Sequence, residues 1–120
     1  MTDPIRYISH QRKNILLVDL SDCSPAQVEE ALRKLPEIVT THPPSSVLIL
    51  SDFTRAIFDE EAMRVMKETA VFDKPYVKKS AFVGVKSLPE KFYETLRSFS
   101  RRNFPIFETR EEALNWLVKD

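Results

Sequence analysis

Three apolar runs do most to limit how this chain can fold. They are Asn14–Asp19 (N-I-L-L-V-D), Ser46–Ser51 (S-V-L-I-L-S) and Ser80–Val85 (S-A-F-V-G-V). Each is too short for a helix and too continuous for a strand with one wet face. That is the pattern of a strand covered on both sides. A helix start follows each run. Strands joined through helices in this way lie parallel, and right-handed crossovers are expected. Two weaker strands flank the three. Ile5–Ser9 reaches Asn14 through the polar turn His10–Lys13 and should pair antiparallel. Phe104–Phe107 (F-P-I-F) contains Pro105, which assigns it to an edge or a bulge.

The helix starts can be read from local chemistry. Ser24-Pro25-Ala26-Gln27 offers an N-cap, a proline at the first helical position and a capping-box Gln. Ser87-Leu88-Pro89-Glu90 and Thr109-Arg110-Glu111-Glu112 read as two further capping boxes. Asp59 is a plain N-cap before Glu60 and Glu61, whose charges suit the helix dipole. Apolar residues then recur at spacings of three and four. The sets are Val28, Ala31, Leu32, Leu35, Ile38 and Val39; Ala62, Met63, Val65, Met66 and Ala70; Leu88, Phe92, Leu96 and Phe99; and Ala113, Leu114 and Leu117. Pro36 predicts a kink or break in the first helix, and His42-Pro43-Pro44 ends it. The expectation is one α/β domain over residues 1–120, with about five mostly parallel strands, an antiparallel first strand and about four helices.

Composition closes off several functions. Gly84 is the one glycine, so the Gly-rich loops that bring backbone against a phosphate are excluded. Cys23 is the one cysteine, which excludes an intramolecular disulfide and a four-Cys zinc site. The first ten residues lack a signal peptide's apolar segment, and no window approaches a membrane span. A cytoplasmic protein is expected. Lys+Arg and Asp+Glu both number 18, and this balance argues against a bulk nucleic-acid binder. The charges are nonetheless segregated. Lys74–Arg102 holds eight basic residues against Glu90 and Glu94, and the rest of the chain carries the opposite surplus. Such a segment can steer an acidic partner or simply solvate helix faces.

Ligands of parallel sheets bind beyond the carboxyl ends of the strands. Here those ends carry Asp19 and Asp22; Asp52 and Thr54, leading to Asp59; Lys86 and Ser87; and Glu108 and Thr109. Such groups can hold Mg²⁺ or an anion, and they are also ordinary turn and cap residues. Cys23, His10 and His42 lie in no catalytic spacing. Trp116, off the main stripe of the last helix, is expected at the rim of the core.

Two families resemble parts of this pattern. Asn14–Asp22 and Leu48–Asp52 are similar to the acidic strand ends of receiver domains. That likeness implies a metal-dependent phosphoacceptor, but the chain lacks one βα unit and the Lys-Pro expected after the last strand. A longer likeness runs over residues 14–118. Ser46–Ala62 (S-V-L-I-L-S-D-F-T-R-A-I-F-D-E-E-A), Lys74–Val85 (K-P-Y-V-K-K-S-A-F-V-G-V) and Phe104–Leu117 (F-P-I-F-E-T-R-E-E-A-L-N-W-L) resemble the bacterial STAS/SpoIIAA-like group, in particular its small single-domain members.

The STAS resemblance implies a (βα)n superhelix and a regulatory module that binds a partner protein and is switched by phosphorylation. The phosphoacceptor serine of that group opens the second helix. In the matching stretch Asp59-Glu60-Glu61-Ala62, Glu60 stands in its place. The implied reading is a non-enzymatic regulatory or scaffolding protein without a cofactor. Its partner-binding residues would be Asp52, Thr54, Asp59, Glu60, Glu61, Lys86 and Ser87. Half-exposed sheet edges would also allow a homodimer. The same broad fold is similar to lipid-binding SEC14-like domains. That alternative predicts an apolar pocket near Phe53, Phe58 and Phe72, with a volume of roughly 300 Å³ or more.

Overall fold

In the computed structural model, which describes residues 3–119, the chain begins with a hairpin. Strand β1 (Ile5–His10) pairs antiparallel with β2 (Lys13–Asp19) through Gln11 and Arg12. Both turn residues have positive φ, the geometry of a two-residue turn that follows the twist of its strands. Helix α1 (Pro25–Val39), β3 (Val47–Asp52), α2 (Glu60–Asp73), β4 (Val77–Val83), α3 (Phe92–Ser100), β5 (Ile106–Phe107) and α4 (Arg110–Leu117) follow in turn. The strands form one sheet in sequence order, and every pair from β2 to β5 is parallel.

Side-chain alternation divides the core into two layers. Leu16, Val18, Val47, Ile49 and Phe82 face α1, α2 and α3. Ile15, Leu17, Leu48, Leu50, Ala81 and Val83 face α4. The three connecting helices therefore share one face, and the last helix alone covers the other. On the three-helix side, Phe53 is fully buried between Phe58 and Phe82, and Phe82 stacks on Phe104 at 4.4 Å. On the other side, Trp116 packs against Phe107 at the rim with the Lys79 ammonium over its ring.

Local expectations fail where a distant partner intervenes. Pro36 does not break α1, which continues to Val39. Proline removes one helical N–H here in the last turn, and the burial of Leu32, Leu35 and Val39 holds that turn in place. Ser87 does not cap a helix. Val85–Ser87 is a 3₁₀ turn, and α3 begins at Phe92 behind Lys91, which has positive φ and no side-chain cap bond. The Ser87 hydroxyl instead accepts the Arg55 backbone N–H at 2.8 Å. With the helix displaced, Leu88 is buried from a loop and Phe99 is left half exposed. Thr109 does cap α4, but its hydroxyl donates to the Glu112 carboxylate, so the return bond of a capping box is missing. The Ser24–Gln27 box is complete. Strand β4 starts three residues before Ser80, and β5 is only Ile106 and Phe107. Phe104 lies outside β5, in the core.

Candidate functional site

Two matching turns leave the carboxyl ends of β2 and β3. In Asp19-Leu20-Ser21-Asp22, Asp19 Oδ1 accepts the Ser21 N–H at 3.2 Å and the Ser21 hydroxyl at 2.5 Å. In Asp52-Phe53-Thr54-Arg55, Asp52 Oδ1 accepts the Thr54 N–H at 2.9 Å and the Thr54 hydroxyl at 2.6 Å. The second residue of each turn, Leu20 or Phe53, is a fully buried anchor. The fourth, Asp22 or Arg55, has positive φ. These fourth residues face each other, with Arg55 Nε and Nη2 donating to the Asp22 oxygens at 2.5 and 2.9 Å. Behind them, Gly84 has φ +72 and lies so close that an added Cβ would meet the Thr54 nitrogen at 2.5 Å. Glycine is needed there both for its dihedral and for the lack of space.

Arginines occupy the remaining carboxylate edges. Arg110, the first residue of α4, donates through Nε to Asp52 Oδ2 at 2.7 Å and reaches Asp19 Oδ1 at 3.1 Å. Arg6 lies 3.4 Å from Asp19 Oδ2. Burial would raise the Asp19 carboxyl, but the Ser21 bonds and Arg110 outweigh it and hold it below its usual range. The Arg55 hydrogen bond does the same for Asp22. Burial, with Asp19 and Asp22 nearby, pushes the Cys23 thiol up. Among the described residues no group of His, Cys, Asp and Glu is arranged to hold a metal ion. Both oxygens of the buried Asp52 are engaged, Oδ1 by Thr54 and Oδ2 by Arg110.

Six of the seven expected site residues fall into two groups, and Lys86 stands apart from both. Asp52, Thr54 and Ser87 are joined through the Thr54-Arg55 turn. Asp59, Glu60 and Glu61 open α2 beyond it. Asp59 accepts the Ala62 N–H at 2.8 Å, Glu60 is exposed, and Glu61 pairs with Arg64 and, at 3.3 Å, with Arg33 of α1. Lys86 is exposed. No hydrogen bond or ion pair among the described residues ties Asp59, Glu60 or Glu61 to Lys86 or Ser87.

Sequence reading missed Arg110, Arg55 and Ile57. A cation at the first position of a helix opposes the dipole, and this was the available signal for Arg110. For Arg55 it was the parallel between D-L-S-D and D-F-T-R. Ile57 is 61% exposed in the turn leading to α2, and its N–H is held by the Cys23 carbonyl at 3.0 Å.

Three other expectations are modified by position. Phe53 and Phe58 pack in the core rather than line a pocket, while Phe72 is half exposed. The basic segment is not one free patch. Lys74, Lys79 and Arg102 donate to backbone carbonyls of Ser100 and Arg101, of Trp116 and Lys119, and of Ala70. The sheet edges open to another chain are β1, which presents the half-exposed Tyr7, and the two-residue β5. Among the described residues no helix is long and apolar enough to cross a membrane.

No family model matches the chain, and neither a curated protein nor a solved structure matches it.

Proposed function

We propose that this chain is a STAS-like regulatory or scaffolding module that works in the cytoplasm by binding another protein, without catalysing a reaction. The observation that carries this reading is Ile57. A large apolar side chain, 61% exposed, projects from a loop held at both ends. The Cys23 carbonyl holds the Ile57 N–H, Ser87 holds the Arg55 N–H, and Asp22 holds the Arg55 guanidinium. A pre-ordered loop loses little conformational freedom on docking. An apolar anchor inside a charged rim is also the usual composition of an interface centre.

Asp59 and Glu60 form the neighbouring rim and are both exposed. The complementary partner has an apolar pocket edged by Lys or Arg. In this reading Glu60 supplies a standing negative charge where a phosphoserine would be switched on and off. The α2 dipole favours that charge.

The test is affinity capture from the native host by wild type, by Ile57→Asp and by Asp59→Arg/Glu60→Arg, with Lys34→Glu as a distant control. The expected result is a partner retained by wild type and control and lost from both loop variants. Equal capture by all four would overturn the assigned surface. No enriched partner in any of them would overturn the binding reading.

A further inference from the structure

A second feature lies inside the three-helix layer, away from the Asp52–Glu61 loop. A cleft of about 40 Å³ separates α1 and α2 from β3 and β4. Its walls are mostly apolar, with Met66 and Leu96 among them, but four polar side chains break the lining. Ser51 and Ser80 come from adjacent strands, on the inward positions shared with Ile49 and Phe82. Thr69 comes from the inward face of α2. All three are at least nine-tenths buried, at 9, 8 and 7% exposure. None of their hydroxyls has a hydrogen-bond partner among the described residues, whereas the Thr95 and Ser100 hydroxyls of α3 bond back to their own helix.

The fourth polar group is Arg102. One of its guanidinium nitrogens donates to the Ala70 carbonyl at 2.9 Å, and its Cζ lies 4.8 Å from the Phe104 ring centre. A guanidinium carries five N–H donors, so most of them have no protein acceptor here. Buried polar groups are ordinarily satisfied, by protein or by something bound. A half-buried cation and three hydroxyls with no protein partner therefore open onto one cleft, with the buried Asp73 carboxyl also within the field of Arg102.

We propose that this cleft binds a short-chain carboxylate, with the anionic end on Arg102 and the hydroxyls of Ser51, Thr69 and Ser80, and the short alkyl end against Met66 and Leu96. The size sets the class. A water needs roughly 10–15 Å³ of such space, so the cleft holds the equivalent of about three or four waters, and the bonded atoms of a ligand pack closer than waters do. Acetate and propionate are of that order, and a fatty-acyl chain is not. The apolar walls favour an organic acid over chloride or nitrate. With so few atoms the affinity is on the order of millimolar.

The test is a propionate titration at pH 6 followed on the Met66 methyl signal by NMR, with sodium chloride at matched ionic strength as the control. The expected result is a saturable shift with propionate and none with chloride. Thr69→Val keeps the side-chain shape and should weaken binding severalfold. Arg102→Gln should weaken it at least tenfold. The methyl spectrum of each variant reports whether it is folded, and Thr69→Val carries the test if Arg102→Gln is not. A linear drift shared by propionate and chloride would mean that the cleft holds water alone and would overturn the proposal. An unchanged affinity in the folded variants would overturn the assigned site.

Discussion

Carboxylates at the two ends of the three-helix layer are held in opposite ways. At the carboxyl ends of the strands, Asp19 and Asp52 each accept a serine or threonine turn and meet Arg110. At the other end, where α2 runs out before β4, Asp73 is 2% exposed and its Oδ1 has no hydrogen-bond partner. Burial pushes that carboxyl up to about 7, with Arg102 pulling the other way, whereas Asp19 is held low. Burial alone therefore does not decide the charge of a carboxylate. The deciding factor is whether the fold supplies donors aimed at its oxygens. At the supplied end the Asp19 carboxyl is held below its usual range. The unsupplied end holds a group that titrates near neutrality.

The largest test of the supplied end is Gly84→Ala. The new Cβ would meet the Thr54 backbone, which cannot yield without moving the turn from Asp52, and its φ is unfavourable as well. A loss of about 2–4 kcal/mol is expected in urea denaturation. A loss under about 0.5 kcal/mol, the range of a surface change, would mean that the turn is not rigid.

Asp73→Asn probes the unsupplied end and should act in the opposite direction. The folded state keeps the Asp73 proton up to about pH 7, whereas the unfolded chain releases it near 3.8. Between those values the folded form binds more protons, so Asp73 makes stability fall as pH rises. The amide removes that slope. A gain of about 1–3 kcal/mol is expected at pH 8, with little change at pH 4. Equal denaturation midpoints for the two proteins at pH 8 would contradict the raised value.

Arg110→Ala should cost somewhat less, about 1–2 kcal/mol, because Arg110 is partly exposed and solvent screens the pair. Asp19 is held below its ordinary value, so its share of stability is present above about pH 4 and is lost as pH falls. Acid unfolding of Arg110→Ala should begin at a higher pH than that of wild type, as read by circular dichroism. The smallest effect concerns Cys23. Its raised thiol should react with iodoacetamide at pH 7.5 more slowly than a free cysteine, and Asp22→Asn should speed it slightly.

The fold was legible because its signals are short-range. Ile15–Val18 and Val47–Ser51, the central parts of two of the runs, are buried on both faces, as continuous apolar runs should be. Ser24 and Asp59 cap their helices because each needs only a backbone N–H three residues away. Ser87 shows where such reading ends. Its hydroxyl had two candidate partners, and the one 32 residues away took it. The site was legible as a line of strand ends carrying Asp52, Thr54 and Ser87. Its neutralisation by Arg110, 58 positions from Asp52, was not.

The sequence by itself determined the order of strands and helices, the parallel sheet with its antiparallel first strand, and the exclusion of glycine-loop nucleotide sites. Those follow from periodicity, caps and counts, which act over a few residues. Tertiary structure alone decided which charges meet. It joined Asp22 to Arg55 and Arg110 to Asp19 and Asp52, left Asp73 Oδ1 without a donor, and gathered Ser51, Thr69, Ser80 and Arg102 around one cleft. Electrostatic pairing depends on distances of a few ångströms between remote segments, and only the packed chain sets those distances.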